Sequence, residues 1–347
     1  MIERQSRILD CVGCAVRPSS MMLRLRLLAI VWLTTLATLA IGGRQLNAAQ
    51  ERSAAATTEQ QDLSALTQLV DASFAGRPTS EVPLTWAGNH FIRSQGDSVY
   101  VPFTIAVDRG QLPATATQVY IRAVARSGAP APAPKFAWET LQAIEMPADG
   151  HFSRAIALTP GTYDVFVAVK EKGVASGKLG LVRHELSVPS FAGSELSTSS
   201  IILARSLEQL PSAPSPDKQQ DNPYVFGPLK VTPSTDREFS KTGDLQVLFW
   251  IYGASQTAGK PDVQVDYSFL QQLPDGEKYF NRTNPQELNV KTLPPEFNLT
   301  MGHQLLSSLS VSLASFPPGN YRLEIKVTDK PSGKSLTNSV NFAVSAS

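Results

Sequence analysis

LTPGTYDVFVAV, residues 158–169, and FPPGNYRLEIKV, residues 316–327, carry one pattern twice. A proline and a glycine precede one free position, a tyrosine, and then alternating apolar residues. Proline fixes one turn dihedral, and glycine permits positive φ at the next position. The period of two after each tyrosine is that of a strand with one buried face. Tyr163, Val165, Val167 and Val169 form that face in the first copy; Tyr321, Leu323, Ile325 and Val327 form it in the second. A tyrosine entering a strand from such a turn can seat its ring on the core and return its hydroxyl to upstream backbone, which makes a corner. Tyr163 and Tyr321 are therefore read as structural corner residues rather than ligand contacts. They stand 158 residues apart, each ahead of a final hairpin, which implies two tandem domains of one design.

The rest of the chain agrees with that reading from Val82 onward. SVYVPFTIAV alternates Val99, Val101, Phe103, Ile105 and Val107 against Tyr100, Pro102, Thr104 and Ala106, and TQVYIRAVAR alternates Val119, Ile121 and Ala123 against Tyr120 and Arg122. The segment GAPAPAPK, 128–135, cannot continue a ladder because proline lacks the N–H, so it reads as an extended connection. A hairpin follows each tyrosine corner. The second module runs through LSTSSIILA, the proline-punctuated loop at 211–223, YVFGPLKVTPS, GDLQVLFWIYG, VQVDYSFLQQLPDG and SLSVSLASF. The fold class expected is all-β: two tandem immunoglobulin-like or fibronectin III-like β-sandwiches behind an N-terminal signal or anchor segment. The expected bounds are a leader at 1–49, a linker with a short helix at 50–81, a first sandwich at 82–190 and a second at 191–347. Within the linker, Leu63, Leu66, Leu69 and Val70 share one helical face, and Gly76 and Pro78 supply stop signals.

The stretches HELSVPSF…ELSTSSIILA, NPYVFGPLKVTPSTDREFSKTGDLQVLFWIYG and FPPGNYRLEIKVTDKPSGKS resemble the paired sandwich modules of exported bacterial proteins of the GWxTD and von Willebrand A-associated type. The resemblance covers the chain from about Leu158 to its end. It implies an exported, multi-domain protein. The GWxTD sequence and the Asp-x-Ser-x-Ser adhesion motif are both missing, so no binding site carries over.

Composition adds a compartment. The chain has 347 residues, 42% hydrophobic and 18% charged, with 25 prolines and 22 glycines, which suits many short strands around real cores. Residues 1–49 hold six Lys/Arg against two Asp/Glu, and the remainder holds 25 against 28. The positive charge belongs to the leader, and nothing after it resembles a nucleic-acid footprint. Arg24 and Arg26 precede an uncharged run that begins at Leu27 and ends at Gly43, the length of a signal h-region. Small residues follow, so cleavage is expected after Ala48 or Ala49, with an uncleaved membrane anchor as the rival. Met21 or Met22 would also open a signal peptide of ordinary form. Export places the protein in the periplasm or beyond, or tethered to the inner membrane by its N-terminus. Cys11 and Cys14 stand C-x-x-C but lie ahead of the apolar run, so cleavage would remove them. The exported part would then have no disulfide.

The chain carries few residues in patterns that signal chemistry. His90, His151, His184 and His303 are not at metal-ligand spacings. The chain lacks a nucleophile elbow, a P-loop and a dinucleotide fingerprint. Asp217 and Asp221 lack the Asn/Gly density of a calcium loop. The sequons at Asn281 and Asn298 carry little weight in a bacterial-looking chain. No catalytic, cofactor-binding or metal residue is assigned, and no cofactor is expected. Two readings remain: a non-catalytic envelope module that binds a protein partner or acts as a spacer, and a carbohydrate-binding module. The second depends on LQVLFWIYG, where Leu245, Val247, Phe249 and Ile251 form one face and Leu248, Trp250 and Tyr252 the other. An outward sheet face is normally polar, so this one needs a cover. The connection at 288–299 or the first domain would serve. Otherwise Trp250 and Tyr252 would be a stacking platform for a sugar.

Overall fold

The structure, a computed structural model, describes residues 55–77, 80–113, 116–126, 136–215 and 221–346. The leader, Cys11, Cys14, the proline-rich connection and Asp217 lie outside the described residues. Compactness divides the chain between Gln60 and Gln61, and both sandwiches belong to the unit Gln61–Ser347. Among the described residues no helix is long and apolar enough to cross a membrane.

The first sandwich has eight strands: β1 (Leu84–Asn89), β2 (Ile92–Arg93), β3 (Val99–Val107), β4 (Ala116–Ala125), β5 (Phe136–Glu145), β6 (His151–Leu158), β7 (Gly161–Glu171) and β8 (Leu179–Val188). β3 is flanked by β6 on one side and by β1 and β2 on the other, and the facing sheet has the order β5-β4-β7-β8. The alternating residues of β3, β4 and β7 meet between the sheets. Val101, Phe103, Ile105, Val119, Ile121, Val165 and Val167 are all buried there.

The second sandwich holds the remaining strands. They are β9 (Ser197–Thr198), β10 (Ile202–Gln209), β11 (Val225–Phe226), β12 (Leu229–Pro233), β13 (Glu238–Ser240), β14 (Asp244–Tyr252), β15 (Gln256–Thr257) and β16 (Lys260–Pro261). Then come β17 (Val263–Leu273), β18 (Gly276–Arg282), β19 (Gln286–Leu288), β20 (Leu305–Ser312), β21 (Gly319–Asp329) and β22 (Lys334–Ser345). One sheet runs β11-β12-β10-β14-β20 with β9 also on β14, and the other runs β13-β22-β21-β17-β18 with β19 also on β17. β13 lies parallel to β22 and the other strand ladders are antiparallel. A separate core fills this sandwich, from Leu245, Val247, Phe249 and Tyr267 to Tyr321, Leu323, Ile325 and Val327. The protein is all-β, with two immunoglobulin-like sandwiches in tandem.

The upstream helix docks on the first sandwich. α1 covers residues 55–74. Leu66, Leu69 and Val70 are buried against Tyr120, Val124, Phe166 and Ala168, the outer face of β4 and β7. That face holds apolar residues on both strands, broken by Arg122 and Lys170, so it needs an apolar cover with acidic partners, and the amphipathic helix supplies both. Charge fixes the seat. Lys170 Nζ donates to Asp62 Oδ1 at 2.5 Å with both side chains buried, and the Gly173 N–H donates to Asp62 Oδ2 at 2.8 Å. Arg122 reaches Asp71 at 2.6 Å.

Candidate functional site

Each tyrosine corner closes as the turn chemistry requires. Tyr163 donates to the Thr159 carbonyl at 2.9 Å, and Tyr321 donates to the Pro317 carbonyl at 2.7 Å. Gly161 and Gly319 have φ of 151° and 150°, a region that a residue with a Cβ rarely adopts. Both rings join their own cores, and Tyr321 also meets Phe280, Phe316 and Phe342.

Trp250 and Tyr252 lie elsewhere, at the junction of the two sandwiches. They are 5% and 6% exposed, so neither ring is a free platform. Leu248, Trp250 and Tyr252 share a cluster with Ile202, Ala204, Tyr224 and Val231 of their own sandwich and Ile92 of the first. The cover thus comes from the first sandwich and from the segment around β11 and β12. The connection at 288–299 does other work: Leu293, Phe297 and Leu299 pack on the inner core. Phe226 stands edge-on to Trp250 at 4.7 Å, and Phe191 lies 5.1 Å from the Tyr252 ring.

Polar groups cross the same seam. The Tyr252 hydroxyl accepts from the Arg93 N–H at 3.0 Å, and the Arg93 guanidinium sits 5.4 Å from the Tyr252 ring. Tyr100 donates to the Pro223 carbonyl at 2.9 Å, and Tyr224 to the Pro102 carbonyl at 3.3 Å. Phe91 and Ser200 exchange two bonds: the Phe91 N–H donates to Ser200 Oγ at 2.9 Å, and the Ser200 N–H donates to the Phe91 carbonyl at 3.0 Å. Arg154 faces Asp221 at 3.3 Å. Burial raises the Tyr224 hydroxyl above the ordinary range and pushes Tyr252 up to about 12. Along the seam runs a groove of about 1940 Å³, which the edges of Trp250 and Tyr252 line together with Arg93, Asp97, Gln209 and His303.

The histidines stay apart in role. His90 Nδ1 lies 3.0 Å from the Tyr224 hydroxyl, and burial, with Arg237 adding to it, lowers its pKa to about 4. His184 stacks on Trp86 at 4.4 Å, where burial lowers its pKa. His151 turns back on Asp149, and His303 accepts from the Asn298 N–H at 3.1 Å. Among the described residues no group of three or more His, Cys, Asp or Glu could hold a metal ion. Asn298 caps a 3-10 turn at Leu299–Met301, and the Asn281 side chain accepts from the next N–H.

The junction uses residues that sequence reasoning did not connect. His90 and Tyr224 are 134 positions apart, and Phe91 and Ser200 109. The two-faced apolar strand was the one available signal. No protein-family model matches the chain, and no curated protein matches it. Among solved structures, a mutant of Salmonella alpha-2-macroglobulin is similar at 11% identity over 76% of this chain, with a TM-score of 0.22. This chain spans 16% of that one.

Proposed function

We propose that this chain is an exported, non-catalytic envelope protein whose paired sandwiches form a rigid spacer that presents a binding surface to a protein partner. The observation that supports it is the seam. The apolar outer face of β14 is spent on joining the two sandwiches, with backbone and tyrosine bonds on either side of it. A junction with a packed apolar centre and a hydrogen-bonded rim holds its two bodies in one arrangement. Folds of this all-β, immunoglobulin-like kind are commonly non-catalytic. The carbohydrate-binding alternative asks for exposed aromatics, and Trp250 and Tyr252 are covered.

Cell fractionation with N-terminal sequencing tests the reading. The product is expected outside the cytoplasm, beginning near Ala49 or Gln50, or held at the membrane by an intact leader. A soluble cytoplasmic product that still begins at Met1 overturns it.

A further inference from the structure

An unpaired strand at a sheet edge offers a row of free N–H and C=O groups to any other strand. Among the described residues several edges here are guarded. β5 carries Glu139 and Glu145, β6 carries Arg154, β8 carries Arg183 and Glu185, and β18 carries Glu277, Lys278 and Arg282. β2, β11, β13 and β19 are two or three residues long, and β1 shifts register between Trp86 and Gly88. β20 has none of these guards. Its eight residues, LLSSLSVS, hold no charge and no proline, and its register against β14 is unbroken.

The free groups on β20 follow from the ladder. Trp250 turns both backbone groups away from β20: its N–H donates to Ser199 Oγ and its carbonyl accepts from the Ser199 N–H, each at 2.9 Å. Leu306 is opposite Trp250, so it has no ladder bond there and its own groups point off the sheet. Leu313 takes the other sense, donating back to the Gly243 carbonyl at 3.1 Å. Alternation then puts the backbone groups of Leu306, Ser308, Ser310 and Ser312 on the open side. One side chain reaches them: Gln286 Nε2 donates to the Ser308 carbonyl at a long 3.4 Å.

The side chains say what strand would fit. Leu309 and Val311 pack on the core yet stay only half-buried, while Ser308, Ser310 and Ser312 are exposed on the other face. An incoming antiparallel strand must bring apolar groups to the first pair, small neutral groups to the serines, and no charge. β20 brings no charge and meets these terms at the centre of one register. Laid antiparallel on its own copy with Ser308 opposite Ser310, it sets Leu309 against Leu309, while toward the ends Val311 falls against Ser307 and Leu306 against Ser312. We propose that β20 is a self-pairing edge, which joins two copies of this chain about a two-fold axis and merges their six-stranded sheets into one.

Sedimentation velocity and residue-resolved amide exchange on the full chain, each at low and high concentration, test the pairing. The mass doubles with concentration. The amides of Leu306, Ser308, Ser310 and Ser312 slow by roughly tenfold or more in the dimer, while those of Ser307, Leu309 and Val311, already bonded to β14, change little. Ser308→Lys, at an exposed side chain, keeps the circular dichroism of the wild type and stays monomeric. Ser310→Lys repeats the test should the first variant misfold. A wild type that remains monomeric at every concentration overturns the proposal, as does a dimer whose four edge amides gain no protection, or one indifferent to both lysines.

Discussion

On the first sandwich, the apolar outer face of β4 and β7 lies under a helix from the same chain. On the second, the apolar outer face of β14 lies under the first sandwich together with its own segment around β11 and β12. The two covers solve one problem, since a sheet that is apolar on both faces cannot stand in water. They differ in what fixes them. The helix is set by charge, with Asp62 and Lys170 buried together and Asp71 held by Arg122. The junction is set mainly by aromatic rings and neutral hydrogen bonds, with a histidine and one ion pair, Arg154 to Asp221, in its rim. A buried ion pair gains little over an apolar pair of the same volume but fixes one geometry, and it costs several kcal/mol when half of it is removed. A ring cluster gains from area and tolerates small shifts. The helix seat should therefore fail sharply on loss of one charge, and the junction should fail with lost volume or with pH.

The largest effect is expected at Trp250. Trp250→Ala removes a buried ring from the centre of the seam and should cost about 3–5 kcal/mol. Urea unfolding followed by circular dichroism measures it, and small-angle scattering should show the two sandwiches loosened. In the wild type, added oligosaccharides should leave the tryptophan emission assigned to this residue unchanged. A glycan-dependent shift, with Trp250→Ala as stable as the wild type, would reverse the comparison and revive the carbohydrate reading.

The helix seat comes next. Asp62→Ala strands the Lys170 ammonium in the interior, and the loss should be about 3 kcal/mol. It falls at the low end of the range because Lys170 keeps the Glu171 and Val174 carbonyls. Pairing Asp62→Leu with Lys170→Met should recover most of the stability, since neither charge is then buried alone. If the single and double variants melt alike, the ion pair does not set the helix.

The junction should answer to pH through His90. His90 has a folded pKa lowered from 6.5 to about 4, so the unfolded chain takes up the proton first. Its contribution is complete above pH 6.5 and is lost as pH falls toward 4. His90 is only partly buried as a residue, so the loss is discounted to about 2 kcal/mol. Melting of the wild type against His90→Gln across that window measures it. A parallel pH slope in the variant would assign the effect to carboxylates instead.

The difference between the two covers also marks what could be read in the sequence. Period two told the inner faces of β3, β4, β7 and β21 because one residue in two meets a core. The amphipathic face of Leu66, Leu69 and Val70 was equally plain. What α1 sits on was not, because Tyr120, Arg122, Phe166 and Lys170 alternate with core residues and read as an outward face. Lys170 in particular looks like a solvent residue until Asp62, 108 positions away, is set beside it. At the junction, Leu248, Trp250 and Tyr252 announced a cover without naming it. The cover is made from Ile92, Tyr224 and Phe226, in short strands and turns whose packing is decided by the meeting of two domains. β20 was legible as a strand, but its place at an edge depends on which strands pair, which local pattern does not encode.

The smallest expected effects are at the corners, and they ask whether the two sandwiches are separate in energy as they are in core. Tyr163→Phe and Tyr321→Phe each remove one hydroxyl and leave the ring. Each should cost about 1 kcal/mol, the net worth of one hydrogen bond. The two sites are not equal in surroundings. Tyr321 is fully buried in a nest of Phe280, Phe316 and Phe342, where burial raises its pKa, so the carbonyl of Pro317 loses its partner in a drier place. Tyr163 has a further neighbour in the Thr159 hydroxyl at 2.9 Å, which can turn to bond elsewhere once the tyrosine oxygen is gone. The loss at Tyr321 should therefore exceed the loss at Tyr163. Amide exchange resolves where each loss is felt. Tyr163→Phe should speed exchange in β4 and β7 and leave β17 and β21 as they were, and Tyr321→Phe should do the reverse. If either variant speeds exchange equally in both sets of strands, the seam at Trp250 couples the sandwiches into one cooperative unit. The two tyrosines then guard a common stability rather than one core each.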